Sequence, residues 1–253
     1  MASYIYDASF EGFLTCVYAS YYQEKATAIS TTEKYQGSLI EESVEIITDQ
    51  GKAVKVYKAI EKKISLIDLR RIYRVFNSCL PDKEMAILSY IELGFKLGDK
   101  ISLYHTDPIV KKMENVQYKV GREVERMLGL TRFSGIGGRI LYARIEPEHD
   151  ILEFIAGHFS NRLKNDPFII HDAGRAKAII SQGGNWYVSR FTEEDYQEMP
   201  SISKDENDIR KLWKKYFETI AIKERLNPKC QKNLMPVRYW KNLTEMQENP
   251  VGL

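Results

Sequence analysis

The stretch GLTRFSGIGGRILYARIEPEHDILEFIAGHFSNRLKNDPFIIHDAGR, residues 129–175, decides how the second half of the chain folds. Its first part predicts a β-hairpin, because the Gly137-Gly138 pair accepts a positive φ and an alternating strand pattern follows it to residue 145. Pro147 ends that strand. The next apolar residues recur at three- and four-residue spacing, which predicts a helix with one buried face: Ile151, Leu152, Ile155, Phe159 and Leu163. A second strand, 168–171, follows Pro167, so the stretch predicts strands joined by a crossing helix.

Residues 1–130, on the N-terminal side of this stretch, are predicted to be mainly helical. A short strand at 3–6 precedes a helix that Ser9 caps, and a connecting loop at 25–43 leads to another short strand at 44–47. Helical periodicity of apolar residues then predicts a series of helices, at 10–24, 51–64, 66–79, 82–97 and 109–128.

On the C-terminal side, strands at 176–181 and 186–190 flank the Gly183-Gly184 turn and predict a second hairpin. The acidic segment 191–207 is expected to be a loop or a short insertion. A final helix at 208–223 should turn its apolar residues inward, namely Ile209, Leu212, Trp213, Tyr216 and Ile220. We therefore predict an α+β fold, with a helical N-terminal part packed on a small antiparallel sheet with a crossing helix, closed by a basic C-terminal helix. Residues 1–253 should form a single integrated unit, with a helical subdomain at 1–130 and a mixed one at 131–253.

The composition, 43% hydrophobic and 28% charged, is typical of a soluble globular protein. The longest apolar runs are far shorter than a membrane span, and residues 1–20 lack the basic start of a signal peptide, so we expect a cytoplasmic protein without membrane contact. Cys16, Cys79 and Cys230 lie far apart, which argues against disulfides and thiolate metal sites. No cofactor is predicted.

The strongest free-standing signal is local charge. The window 210–241 holds ten Lys or Arg against two Glu, a net +8, which leaves −6 for the rest of a chain whose formal charge is +2. Cations neutralise phosphates and exposed aromatic rings stack on bases, so the window predicts a nucleic-acid surface; a protein-partner surface and a solvated face are the alternatives. The residues predicted to bind are Arg210, Lys211, Lys214, Lys215, Lys223, Arg225, Arg238 and Lys241.

Three residues are candidates for catalysis. His158 and Arg162 lie four apart on one helix and could recognise a phosphate or carboxylate together, although a hydrogen-bonded histidine at a helix–sheet junction is the simpler interpretation of His158. Asp172 could take part in the same site, or it could pair structurally with Arg175 across a turn.

Other motifs point away from familiar chemistry. The histidines at 149, 158 and 171 are separated by gaps of nine and thirteen residues, which match no local ligand spacing, so no metal site is predicted. The glycines at 135, 137 and 138 lack the Lys-Ser/Thr ending of a phosphate-binding loop. No serine lies in a GxSxG motif.

Three groups of residues carry a resemblance to a known family. They are the opening YIYDASFEGFLTC at 4–16, the central pattern from Arg132-Phe through His149-Asp, His158-Phe and Arg162 to Asp172 and Arg175, and the closing pattern from Leu212-Trp through Asn227-Pro and Met235-Pro to Tyr239-Trp240. Over nearly its whole length the chain resembles the bacterial "probable DNA metabolism protein" family. The resemblance implies a partnership with a radical SAM protein of DNA modification or repair, and a similar domain is fused to uracil-DNA glycosylase-like domains. It implies no particular reaction.

The leading functional hypothesis is therefore an accessory protein of DNA metabolism or repair that binds DNA or RNA and works with a radical SAM enzyme. One alternative is a glycosylase-like enzyme that uses His158, Arg162 and Asp172. The other is a protein–protein adaptor whose basic surface meets an acidic partner. Whether the chain is catalytic stays open at this point.

Overall fold

The computed structural model describes residues 2–33, 43–137, 140–200 and 204–247, without the side chains of Lys204 and Lys223. Its internal contacts divide the chain into two compact units, Met1–Gly121 and Arg122–Leu253. None of the described helices combines the length and apolar character that a membrane span requires.

Unit 1 contains a three-stranded parallel sheet. Strand β1 (Ala2–Tyr6) lies in the centre, between β2 (Ala26–Thr31) and β3 (Ser43–Glu45). The prediction of a loop at 25–43 is therefore wrong where β2 lies. Residues 34–42 of that segment lie outside the described residues. The strand escaped prediction because its sequence, ATAIST, has Ile29 as its only large apolar side chain. Its pairing with β1, rather than its own hydrophobicity, makes it a strand.

The predicted helices of this half are confirmed. They are α1 (Phe10–Tyr22), α2 (Gln50–Lys63), α3 (Leu66–Phe76), α4 (Lys83–Leu97) and α5 (Pro108–Leu130), of which α5 begins in unit 1 and ends in unit 2. Side chains of Ser9, Asp49 and Ser65 accept hydrogen bonds from backbone N–H groups in the first turns of α1, α2 and α3. Local capping chemistry thus sets where these helices begin.

Unit 2 is built on a five-stranded sheet. Its strands, in spatial order, are β4 (Ser134–Ile136), β5 (Ile140–Ile145), β6 (Phe168–Asp172), β7 (Lys177–Gln182) and β8 (Asn185–Arg190). The α+β class is confirmed, but the sheet is mixed and not purely antiparallel, because β5 and β6 run parallel. Helix α6 (Leu152–Arg162) causes this, since it carries the chain back along the sheet before β6 begins.

Both predicted hairpins of unit 2 are present. Strands β4 and β5 pair antiparallel next to Gly137, whose φ is 58°. Gly183 and Gly184 form the two-residue turn between β7 and β8 with φ of 60° and 80°. Two successive positive φ values match the type I′ turn, whose twist fits the strands that it joins.

The C-terminal region departs most from expectation. The acidic segment contains a short helix, α7 (Glu193–Gln197), and the next helix, α8 (Lys204–Ile220), begins before the predicted residue 208. Helix α9 (Pro228–Leu234) and short 3₁₀ helices at Val237–Asn242 and Thr244–Met246 follow. The predicted inward apolar face of α8 is wrong, because all five of its residues are exposed.

Candidate anion-binding pocket

A polar pocket of about 390 Å³ opens on one face of the five-stranded sheet in unit 2. Strands β4 and β5, helices α7 and α8, and the C-terminal 3₁₀ segments all contribute to its wall. The lining residues are Arg132, Ser134, Ile136, Tyr142, Arg144, Glu146, Tyr196, Arg210, Lys241, Asn242, Thr244 and Gln247. Four cations therefore converge on it from positions far apart in the sequence.

The strand alternation of β5 explains which side chains reach the pocket. Tyr142 and Arg144 are two residues apart, so they lie on the same face of the sheet. Ser134 lies directly opposite Tyr142 in the β4–β5 pair and shares that face. Ala143 and Ile145, which alternate with them along the strand, are buried on the other face.

Arg132 and Glu245 join the beginning of the sheet to the C-terminal segment. Nε and Nη2 of Arg132 donate to the two carboxylate oxygens of Glu245 at 3.2 and 2.7 Å, and Trp213 Nε1 of α8 donates to the same carboxylate at 3.0 Å. The side chain of Glu245 is only 2% exposed. Burial alone would raise the pKa of Glu245, but these hydrogen bonds outweigh it and hold the pKa below its ordinary value. Glu245 is thus a buried anion that fixes a pocket arginine.

Arg144 and Lys241 also have carboxylate partners. Nη1 of Arg144 lies 3.0 and 2.7 Å from the two oxygens of Glu193, and its Nε lies 3.6 Å from Glu146. Lys241 Nζ donates to the other oxygen of Glu146. Burial would raise the pKa of Glu146, yet the bond from Lys241 and the charge of Arg144 lower it. The carboxylates hold both cations in fixed directions at the pocket wall.

Two donors in the wall lack a hydrogen-bond acceptor. Nη2 of Arg210 donates to Ser134 Oγ at 2.6 Å, and its Nε lies 3.6 Å from Glu206, too far for a hydrogen bond. Within the described part of the chain, Arg210 Nε and Asn242 Nδ2 are buried without a hydrogen-bond acceptor. Buried polar groups are almost always satisfied in folded proteins, so these two donors would gain hydrogen bonds if the wall opened to acceptor oxygens from the pocket.

The floor of the pocket is neutral and aromatic. Tyr142 Oη lies 2.8 Å from Nδ1 of His171, and the rings of Tyr142 and Tyr196 stack with centroids 4.9 Å apart. Burial, helped by the nearby charge of Arg144, lowers the pKa of His171, and burial raises the pKa of Tyr142. Both groups are therefore uncharged at neutral pH, and the positive charge of the pocket comes from its arginines and lysine alone.

A comparison with protein-family models finds a match to the domain of unknown function DUF4130 over residues 81–245. The match covers more than half of the chain. The chain belongs to the DUF4130 family. The matched span contains every lining residue of the pocket except Gln247. No curated protein matches the chain.

In this DUF4130 chain, the three candidate catalytic residues do not line the pocket. His158 and Arg162 are exposed on α6, which packs on β7 and β8. Helix α6 covers the face opposite Tyr142, where Ile170 and Ile179 are fully buried. No three His, Cys, Asp or Glu side chains of the described residues form a group able to hold a metal ion.

Asp172, the third candidate, is fully buried at the end of β6. Its carboxylate accepts from Arg175 Nη1 at 2.9 Å and from Gly174 N at 3.1 Å, so the predicted Asp172–Arg175 pair is confirmed. Arg175 also donates to the carbonyl oxygens of Pro147 and Glu148. Burial raises the pKa of Asp172 despite the charge of Arg175. The pair fastens the turn after β6 to the segment after β5.

The residues predicted to bind nucleic acid fall into separate places. Arg210 and Lys241 line the pocket, whereas Lys211, Lys215 and Arg225 are exposed outside it. Lys214 is half-buried on α8, and the side chain of Lys223 lies outside the described residues. Arg238 lies against Glu123 and Glu148. Arg210 does not project freely into solvent, since Glu206 and Ser134 hold it against the sheet.

Sequence reasoning did not select Arg132 and Arg144 as binding residues. Arg144 had a readable signal, because a charged residue on the same face as Tyr142, within an otherwise apolar strand, marks a polar site on that face. No sequence signal showed that Arg144 would converge with Arg210 and Lys241. Nearly a hundred residues separate Arg144 from Lys241, and only the fold brings these positions together.

Proposed function

We propose that this chain is a nucleic-acid-binding protein of DNA metabolism, and that the pocket of unit 2 receives phosphate or base oxygens of a DNA or RNA strand. The observation that carries the proposal is the pair of orphaned donors, Arg210 Nε and Asn242 Nδ2, in a pocket walled by cations. Phosphate oxygens and base carbonyls are the acceptors that nucleic acids offer to arginine and asparagine side chains.

The charges of the pocket support an anionic ligand of modest affinity. The lining holds four cations, Arg132, Arg144, Arg210 and Lys241, against Glu146, which gives +3. Glu193, Glu206 and Glu245 pair with three of these cations and offset the +3. The binding therefore depends more on oriented donors than on net charge. Prearranged guanidinium groups lose little freedom on binding, and a charge-assisted hydrogen bond is about twice as strong as a neutral one.

The family resemblance supports the biological setting of the proposal. The "probable DNA metabolism protein" pattern, from 4–16 to Tyr239-Trp240, implies an accessory role beside a radical SAM enzyme of DNA modification or repair. We propose that enzyme as the partner. Copurification of the two proteins from cells that express both, with and without DNA, tests this part of the proposal.

Nothing in the geometry favours the glycosylase-like alternative at His158, Arg162 and Asp172. The Asp172 carboxylate is committed to Arg175 and Gly174, whereas the other two side chains are exposed on α6. A water-activating base would need an accessible carboxylate next to the bound nucleotide.

The binding proposal is tested with two variants that each lose two positive charges. One, Arg144→Gln with Arg210→Gln, alters the pocket; the other, Lys211→Gln with Lys215→Gln, alters the exposed side of α8. Binding of fluorescent single- and double-stranded DNA is measured by anisotropy at about 50 mM and about 200 mM salt. We expect the parent to lose affinity with salt, the pocket variant to bind about tenfold more weakly with a slope reduced by about 1 to 2, and the α8 variant to change less.

Three results would contradict the proposal. The parent could fail to bind at low salt, the pocket variant could bind like the parent, or the α8 variant could lose as much affinity as the pocket variant. Circular dichroism melts of both variants establish that the comparison concerns folded protein.

A further inference from the structure

Helix α8 turns its apolar side away from the unit that carries it. Ile209, Leu212, Tyr216 and Ile220 follow helical spacing and form one stripe, with side chains 58%, 66%, 55% and 55% exposed. Ile222 and Leu226, just beyond the helix, are also exposed. Large connected apolar patches are uncommon on monomeric soluble proteins and mark surfaces that meet another molecule.

Contacts on the side of α8 next to this stripe explain why the helix lies this way round. Glu206 and Arg210 face the sheet, where Glu206 accepts from Gly135 N at 3.0 Å and Arg210 donates to Ser134. Trp213 Nε1 donates to the buried Glu245. Polar contacts thus fix the rotation of the helix about its axis. The apolar stripe faces outward because of these contacts, and not because the helix is loosely attached.

A groove extends the stripe towards the body of unit 2. It has a volume of about 360 Å³, and its apolar walls include Phe133, Ile209 and Trp213. The guanidinium of Arg132 lies 5.7 Å from the Trp213 ring at the same place. The surface therefore offers a depression for an apolar side chain beside the ridge formed by Leu212 and Tyr216.

The charge around the stripe selects the kind of partner. Residues 204–234, which comprise α8 and the segment after it, contain nine Lys or Arg against five Asp or Glu, a net +4. A second copy of the chain that used the same face would bring +4 against +4, which opposes self-association. The stripe is also mainly aliphatic, and aliphatic side chains do not stack on bases as aromatic ones do. Charge and chemistry both favour an acidic protein.

We infer that the exposed face of α8 docks an acidic amphipathic helix of a partner protein. The partner's apolar side chains cover Leu212, Tyr216 and Ile220, with one in the groove beside Trp213. Its carboxylates meet the exposed Lys211, Lys215 and Arg225. This is the helix-in-groove mode of recognition, in which apolar anchors give affinity and flanking charges give specificity. The inference is argued from the stripe and its charges and not from nucleic-acid binding, although the groove shares Arg132, Arg210 and Thr244 with the pocket.

Two synthetic helical peptides with the same leucine spacing test the inference, one with glutamates and one with lysines on its other faces. Their binding to the full chain is followed by anisotropy. We expect the glutamate peptide to bind at least about tenfold more tightly than the lysine peptide. Leu212→Ser with Ile220→Ser should weaken the glutamate peptide by about tenfold or more, with no change in melting temperature, because both side chains are exposed.

Leu103→Ser with Ile67→Ser is the matched control, since these residues are 73% and 70% exposed and lie outside α8. It should bind the glutamate peptide like the parent. The inference is overturned if neither peptide binds, if both bind equally, or if the α8 variant binds like the parent. It is also overturned if light scattering shows a dimer that the α8 variant abolishes, or if that variant loses DNA affinity and not peptide affinity.

Discussion

Replacing Arg132 by leucine should destabilise unit 2 through the carboxylate that is left behind. The side chain of Glu245 is 2% exposed and receives hydrogen bonds from Arg132 at 3.2 and 2.7 Å and from Trp213 at 3.0 Å. Removal of one partner of a buried ion pair costs about 3 to 5 kcal/mol, because the other charge stays buried without compensation. The bond from Trp213 remains, so we expect about 3 kcal/mol from the pair. The lost bond from Arg132 Nη1 to the Gly129 carbonyl, 2.7 Å long, adds about 1 kcal/mol.

The pH dependence of this loss separates an electrostatic cause from lost packing. In the parent, the pKa of Glu245 lies below its ordinary value. Its contribution is therefore present above the unfolded pKa of about 4.3 and is lost as the pH falls through the lower, folded pKa. In Arg132→Leu, burial dominates and raises the pKa of Glu245, so the variant loses stability as the pH rises above about 4.3. The difference between the two proteins should be largest at neutral pH and shrink towards about pH 4.

Urea unfolding followed by tryptophan fluorescence at several pH values measures this difference. The double variant Arg132→Leu with Glu245→Leu serves as the control. It removes the stranded charge and should be more stable than Arg132→Leu alone at neutral pH. A loss below about 1 kcal/mol, or a loss of constant size across the pH range, would refute the reasoning, as would a double variant less stable than the single one.

Three further predictions concern the turn between β7 and β8, the Asp172–Arg175 ion pair and the domain organisation. Gly184→Ala places a side chain where φ is 80° and should cost about 1 kcal/mol in thermal melts, whereas Gly157→Ala on α6, with open space around it, should be neutral or stabilising. Arg175→Met strands Asp172, whose pKa burial already raises, so it should cost about 3 kcal/mol at neutral pH and less in acid, seen by urea unfolding; a loss that grows in acid would contradict this. Limited proteolysis should release no stably folded 1–130 fragment, since we expect one integrated unit; recovery of such a fragment would show two independent domains.

The sequence by itself determined the local elements of this protein. The three- and four-residue spacing of Ile151, Ile155 and Phe159 specified α6, and the Gly183-Gly184 pair specified a hairpin turn. Both signals act within a few residues, through helical periodicity and through the φ values that glycine accepts. Prediction succeeded at these two elements because the determining interactions were local.

Only the tertiary structure decided which surfaces of those elements are covered and which are exposed. Strand β2 has little apolar pattern and exists through its pairing with β1. The amphipathic pattern of α8 was read correctly from the sequence, yet the side held against the sheet is the one that carries Glu206 and Arg210. Periodicity states which residues share a face, but the energy of covering that face depends on what surface the fold brings opposite it. For α8 that surface offers Ser134 and Gly135 to polar side chains, so the apolar stripe faces outward. The pocket has the same origin, because its four cations lie between residues 132 and 241 and meet only when β5, α8 and the C-terminal segment pack together.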